Sequence, residues 1–306
     1  MSEMSKQIKQ PAEKFATETE WLAARKNGIG GSDAATILEQ NQFSSPLELY
    51  AQKLGLVEPP ETNEKMRWGK RLEPVIAAAY REETGRELVD HGFHLFRSSE
   101  YPWAYGTIDR QIVNVADKPG AGVYEAKATG RFTEEEIRAD IPLVFQIQVQ
   151  HYLAVLELEW ASVAVLINGN QVLWADLERN DLFIKVLMDK EREFWDRVQT
   201  QQPPPPGPSQ SAKETLKKLY PQDIGATVTL PLEAYEWDRR RTEAIEAAKK
   251  AEAERDEAEN LIRAALGDAT VGVFPDGVGR FTWKTQTQKA YSVAETTARI
   301  LRRAAK

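Results

Sequence analysis

The sequence predicts an α/β (α+β) fold, a mixed central β-sheet flanked by helices, with a C-terminal long helix and a small β-hairpin appended. Three observations predict it. Short apolar runs with strand-like alternation recur between residues 87 and 177. Stretches with helical spacing precede them and lie between them, several closed by glycine. Residues 231–266 are rich in Ala, Glu, Lys and Arg with no internal Gly or Pro, the composition of one long helix.

In chain order, residues 21–26 read as helical. The segment 28-GIGGSDAATIL-38 reads as a glycine turn entering a helix, with Ser32 or Asp33 at its cap. Pro46 opens a helix that Gly55 closes, and a longer helix over 66–85 ends at Gly85. Strands are expected over 87–96, 103–113 and 122–129, a helix over 142–157, a hairpin from 161–169 and 171–177, and an amphipathic helix over 180–200. Beyond the long helix, 270-TVGVFPDGVGRFTWKT-285 reads as two short strands around a Pro-Asp-Gly turn, and a basic helix over 292–305 closes the chain.

A chain of 306 residues suits two domains, at about 150 residues each. The clearest punctuation is 203-PPPPGP-208, which favours an extended polyproline conformation. The expected organisation is a disordered N-terminus over 1–14, a catalytic-type domain over 15–202, a Pro-rich linker over 203–210 and an accessory helical and hairpin region over 211–306. Cysteine is absent, which excludes disulfides, thiol nucleophiles and cysteine zinc sites. The longest apolar runs, such as 160-WASVAVLI-167, fall short of the ~20 residues a membrane helix needs. The N-terminus is polar and lacks the apolar stretch of a secretory signal, so a cytoplasmic location is expected.

The formal charge of -7 is uneven: residues 1–202 carry -9, whereas residues 280–306 carry +6. An acidic body argues against coating nucleic acid by bulk charge, but it suits carboxylates gathered around a metal ion. Asp109 lies in 106-GTIDRQIV-113, and sixteen residues later 123-VYEAKAT-129 carries Glu125 and Lys127. Two residues apart in a strand, those side chains share a face. Two carboxylates beside an amine make a hard-oxygen pocket for Mg2+ or Mn2+, with the carbonyl of Ala126 as a further ligand. Such a metal activates water and stabilises charge on a phosphoryl group, while the lysine orients or helps to deprotonate the water. A strand with Asp followed by a strand with Glu-x-Lys matches the arrangement of the PD-(D/E)xK nucleases.

Other segments bear on the same chemistry. Glu73, in 67-RWGKRLEPVIAAAY-80, is placed on a helix from which it can offer a third carboxylate. Gln148 and Gln150 are two apart on a helix, so at most one aims inward, and Gln148 is favoured because Phe145, Val149 and Tyr152 can pack around it. Arg25 and Ser32 bracket 25-RKNGIGGS-32, where the backbone amides around Gly30 and Gly31 are suited to an anion such as phosphate. His91 and His94 on one strand would point to opposite faces, which argues against zinc, and His151 follows the glutamines without an assigned role.

The ordered set of R-x(6)-S after a Trp helix, WGxxxEP, GTID, EAKAT and Q-x-Q-x-x-Y resembles the YqaJ-type viral recombinase family, the branch of PD-(D/E)xK nucleases that includes the exonuclease of phage lambda. The resemblance spans about residues 18–200 and implies a restriction-endonuclease-like core. It implies a Mg2+-dependent exonuclease, with two ions per site, that degrades one strand of linear double-stranded DNA from the 5′ end and leaves 3′ overhangs for recombination. Glu73, Asp109 and Glu125 are then metal ligands, Lys127 and Gln148 act at the nucleophile, and Arg25 and Ser32 hold the terminal 5′-phosphate. It further implies a phage or prophage origin, a ring-shaped homo-oligomer, with a trimer favoured, and a single-strand annealing protein as partner. Trp68, Trp103, Tyr105 and Phe132 are candidates to stack on a duplex end. Rival readings are a related endonuclease and a non-catalytic protein that binds DNA ends.

Overall fold

The two most regular apolar strands lie side by side at the centre of the main sheet. In the computed structural model, which describes residues 8–113, 115, 116, 118, 120–289, 295 and 299–303, β6 (Gly122–Thr129) pairs in parallel with β7 (Trp160–Ile167). Every residue of β7 is buried, as expected of a strand covered on both faces. The sheet extends outward through antiparallel pairs in the order β2-β5-β6-β7-β8, with β2 at Glu87–Val89, β5 at Arg110–Val113 and β8 at Gln171–Glu178.

Strand alternation divides the core. Val123, Val163, Val165 and Ile167 face α6 (Leu143–Leu156), where they pack with Ile147, Leu153 and Val155. Tyr124, Trp160, Ala164 and Leu166 face the other way and pack with Ile76, Ala77 and Tyr80 of α4 (Glu64–Thr84). The α4 helix stops where Gly85 adopts φ 67°, a left-handed conformation that glycine accepts without strain.

Glycine is required at 122 for a different reason. A Cβ there would lie 2.6 Å from Cζ2 of Trp160, and that indole is 1% exposed. Arg86 and Lys118 both lie over the same ring. Gly122→Ala is expected to destabilise the fold by roughly 1–3 kcal/mol, the usual cost of overpacking. Urea denaturation checks this, and an unchanged midpoint would show that the indole moves freely.

Two of the expected strands divide. The run 87–96 becomes β2 and β3 (His94–Arg97) in different sheets, because the chain turns at Gly92 with φ 61°. The run 103–113 likewise becomes β4 (Tyr105–Gly106) and β5, so Asp109 sits in the bend before β5 rather than within a strand. The break also corrects the expectation for the histidine pair. His91 precedes β3 in the turn, and its ring centroid lies 5.7 Å from that of His94 instead of across the sheet.

The second sheet runs β1-β3-β4, and its edge strand β1 (Ala12–Lys14) comes from the arm expected to be disordered. All three β1 residues are exposed. The strand is held by pairing with His94–Phe96 and by Glu13 on Arg97 at 2.7 Å, so no apolar pattern announces it.

The chain forms two compact units, Met1–Pro221 and Gln222–Lys306. The division falls after the expected proline linker, because α8 (Gln210–Leu219) packs on α3 (Pro46–Lys53) within the first unit. Ser211 Oγ donates to Glu48 Oε2 at 2.7 Å, and Ala212 and Thr215 are buried. In the second unit, α9 (Ala234–Leu266) buries none of its residues, and its surface carries ion pairs such as Arg239 with Glu236 and Glu243. The expected hairpin forms from β9 (Val271–Val273) and β10 (Arg280–Thr282). The basic helix expected over 292–305 falls largely outside the described residues, and residues 299–303 are not helical.

Candidate active site

The β5–β6 ladder ends at Arg110↔Tyr124, and Asp109, one residue beyond it, takes over the next free amide. Its Oδ2 accepts from the Ala126 N–H at 2.8 Å. Glu125 and Lys127 emerge from β6 on the α6 side, the same face as Val123. Lys127 Nζ donates to Glu125 Oε1 at 2.7 Å and to Gln148 Oε1 at 2.8 Å. Gln148, from α6, completes the triangle by donating from Nε2 to Glu125 Oε1 at 2.6 Å and to the Tyr152 hydroxyl at 3.0 Å. Gln150 goes the other way, donating to the Glu178 carbonyl and accepting from the Asn180 amide.

The electrostatics of this cluster are dominated by burial. Burial pushes the Asp109 carboxyl well above the usual range, and the neighbouring charges of Glu125 and Glu73 push it further. Burial raises Glu125 as well, against the opposing pull of Lys127. For Lys127 burial acts downward, but Glu125 and Asp109 outweigh it, so the amine is held as an ammonium. Glu125 Oε2 is buried and has no hydrogen-bond partner. An orphaned carboxylate oxygen next to a second crowded carboxylate suits a hard divalent cation, so the donor chemistry fits a metal.

Glu73 is not gathered into that donor set. Its Oε1 accepts from Arg110 Nη1 at 2.8 Å, and among the described residues no three His, Asp or Glu side chains form a ready metal cluster. Arg110 was missed by the sequence reading because, as the first residue of β5 and the partner of Tyr124, it belongs to the α4 side of the sheet, opposite Glu125 and Lys127. Asp109, Glu125, Lys127 and Gln148 are therefore brought together, with Ala126 between them in sequence and Glu73 held by Arg110.

The second predicted cluster lies at the start of α2 (Gly31–Ile37). After α1 (Glu18–Ala24), one tight turn carries Arg25, whose guanidinium lies 4.7 Å over the Trp21 ring and donates to Ser32 Oγ at 3.3 Å. Neither Ser32 nor Asp33 is the N-cap. Gly30 takes that position, and Asp33 reaches back from the first turn to accept the Gly30 N–H at 3.0 Å, which leaves Ser32 to Arg25. A Cβ on Gly31 would lie 2.6 Å from the Tyr152 ring and 3.1 Å from Gln148 Cγ. The turn therefore lies directly on the two α6 residues of the first cluster.

A cleft of about 980 Å³ includes Ser32, Lys127 and Gln148 in its lining. Its wall also carries Lys65 and Arg131 and, among the described residues, no carboxylate. The acidic first unit thus presents a cationic wall at this place. Of the four aromatic candidates, Trp68 and Phe132 line the cleft. Trp103 and Tyr105 do not; Tyr105 is 1% exposed and belongs to the core. His151 also faces the core, with Nδ1 on Glu191 at 2.8 Å and Nε2 on the Tyr105 carbonyl at 2.9 Å. Burial lowers its pKa, but the charge of Glu191 outweighs this and the net shift is upward.

Residues 20–159 match the YqaJ-like viral recombinase domain. The chain is 34% identical over 265 residues to Uncharacterized protein YqaJ of Bacillus subtilis (strain 168), covering 83% of this chain and 79% of that protein. The chain belongs to the YqaJ-like viral recombinase family. Its fold is similar to that of LHK-Exo in complex with dAMP, at a TM-score of 0.50 and 22% identity, over 65% of this chain and 96% of that one. LHK-Exo, an alkaline exonuclease from Laribacter hongkongensis, also matches in a second structure at a TM-score of 0.49 and 23% identity, over 60% of this chain and 94% of that one. Among the described residues, no helix is long and apolar enough to cross a membrane.

Proposed function

We propose that this chain is a metal-dependent exonuclease that degrades the 5′-terminated strand of linear double-stranded DNA and leaves a 3′ overhang for phage-type recombination. The observation that carries the reading is Lys127, bridged to Glu125 and Gln148 beside Asp109, in a cleft that also reaches Ser32. Family membership supports it, and so does a fold shared with an alkaline exonuclease solved in complex with dAMP.

Asp109, Glu125 and the Ala126 carbonyl would hold a divalent cation, Mg2+ with Mn2+ able to substitute, and Glu73 is the carboxylate available to a second ion. Such ions supply Lewis acidity at the phosphoryl oxygen and a more acidic water. The chain's own groups do the rest. Gln148 and Lys127 orient the attacking water through the hydrogen bonds that they now exchange with Glu125. Lys127, held as an ammonium by Glu125 and Asp109, stabilises the pentavalent phosphoryl group. Arg25 and Ser32 grip the terminal 5′-phosphate, with the Gly31 amide nearby and that of Gly30 taken by Asp33, which sets polarity without reading bases. Lys65 and Arg131 neutralise backbone phosphates along the cleft, and Trp68 or Phe132 stacks on the opened duplex end. A ring-shaped homo-oligomer, a trimer in the simplest case, and a single-strand annealing protein as partner complete the proposal.

The test is digestion of strand-labelled linear duplexes with 5′-phosphate or 5′-hydroxyl ends, alongside covalently closed circles, in Mg2+ or in EDTA. The expected result is Mg2+-dependent loss of the 5′-phosphorylated strand, with circles intact. Equal cutting of circles would instead identify an endonuclease, and binding of ends without digestion would identify a scaffold.

A further inference from the structure

The turn that carries Arg25 and Ser32 is closed by a side chain from outside it. Lys53, the last residue of α3, donates from Nζ to Asp33 Oδ2 at 2.7 Å and to the Arg25 carbonyl at 3.1 Å. These two acceptors stand at the two ends of the segment 25–33. The pair is largely dry, with 7% of the Lys53 side chain and 16% of the Asp33 side chain exposed. Each acceptor also has a second donor: the Tyr105 hydroxyl reaches the Arg25 carbonyl at 3.0 Å, and the Gly30 amide reaches Asp33 Oδ2 at 3.0 Å. The middle of the turn is tied separately, by Ile29 N–H to the Trp103 carbonyl at 2.7 Å and Tyr105 N–H to the Ile29 carbonyl at 2.9 Å.

A buried ion pair is a poor means of gaining stability, because desolvating both charges offsets most of their attraction. Here the ammonium does something that an apolar side chain of its size would not do. It fixes the backbone from which the Arg25 guanidinium projects relative to the first turn of α2, which carries Ser32. We infer that Asp33 and Lys53 are positioning residues that hold Arg25 and Ser32 at the spacing that a terminal phosphate requires. The inference rests on the proposed phosphate-binding role of Arg25 and Ser32. Bidentate recognition of a phosphate depends on donor geometry, and a displacement of about 1 Å at such a site can cost as much as ~100-fold.

The test compares wild type, Lys53→Met, the double variant Asp33→Asn with Lys53→Met, and Arg25→Ala. The double variant keeps an acceptor for the Gly30 amide and leaves no unpaired buried charge, so it remains informative if the single Lys53 variant folds poorly. Fluorescence anisotropy in EDTA measures affinity for 5′-phosphorylated and 5′-hydroxyl duplexes of one sequence, and the readout is their ratio. Both Lys53 variants are expected to lower that ratio about tenfold, and in Mg2+ to raise KM for the phosphorylated duplex more than they change kcat. If Arg25→Ala lowers the ratio and the double variant does not, the positioning role is overturned and the phosphate reading stands. If Arg25→Ala leaves the ratio unchanged, the phosphate reading fails and the inference fails with it.

Discussion

Lys127→Ala is expected to slow strand digestion at least ~100-fold, the scale of losing one preorganised charge at a reacting phosphate. The structure gives the reason. The ammonium is bonded to both Glu125 and Gln148, so its removal takes away a charge and also the group that holds the other two in register. The loss should fall on kcat, because an interaction realised at the reacting phosphoryl group is not made by a bound but unreacted end. Single-turnover digestion of a 5′-phosphorylated duplex checks this, with circular dichroism as the control for folding. Lys127→Arg should not rescue, since a planar guanidinium does not reproduce a compact ammonium between two close acceptors. A variant within about threefold of wild type would remove Lys127 from the chemistry.

Asp109→Asn is expected to abolish digestion and at the same time to stabilise the metal-free protein. Burial first, then Glu125 and Glu73, raise the Asp109 pKa in the folded chain. A carboxyl with a raised native pKa holds its proton longer in the folded state than in the unfolded state. Stability is therefore lost as pH rises from the unfolded value of ~3.9 through the native one, and at neutral pH much of that cost is present. Asparagine removes the charge and can still accept from the Ala126 amide. In EDTA the variant should melt roughly 3 °C higher, taking about 1 kcal/mol of relieved repulsion. Mg2+ should raise the melting temperature of wild type, more so at higher pH, and should do little for the variant. A variant that melts below wild type in EDTA would show that Asp109 supports the fold by its charge, contrary to the crowding described above.

What the sequence made legible depended on how local each relation is. Glu125 and Lys127 share a face because strands alternate, and that inference needed three residues. Gln148 was separable from Gln150 because helical spacing sends them apart, and their partners, Glu125 and the Glu178 carbonyl, do lie on different sides. Asp109 was found by its neighbourhood, but its strand was drawn too long, because alternation continues through a bend that serves two sheets. Glu73 was placed on the correct helix, yet its engagement with Arg110 depends on how α4 lies across β5, and no spacing encodes that. The Lys53 clip was invisible for the same reason: its partners are 20 and 28 residues away. The edge strand β1 has no buried side chain to announce it. The prolines at 203–206 looked like a boundary because they break regular structure, but an extended segment can also lie on a surface, and Pro204 is buried.

The contact at Gly31 has a mechanical consequence. Because Gly31 has no side chain of its own, α2 packs directly on Tyr152 and Gln148 of α6, and the grip on a strand's end is joined by contact to the blade that would cut it. Under the proposed reading such a protein behaves as a ruler. The length of each released fragment is set by the fixed interval between grip and blade rather than by the base sequence passing through, so every bite should be the same size.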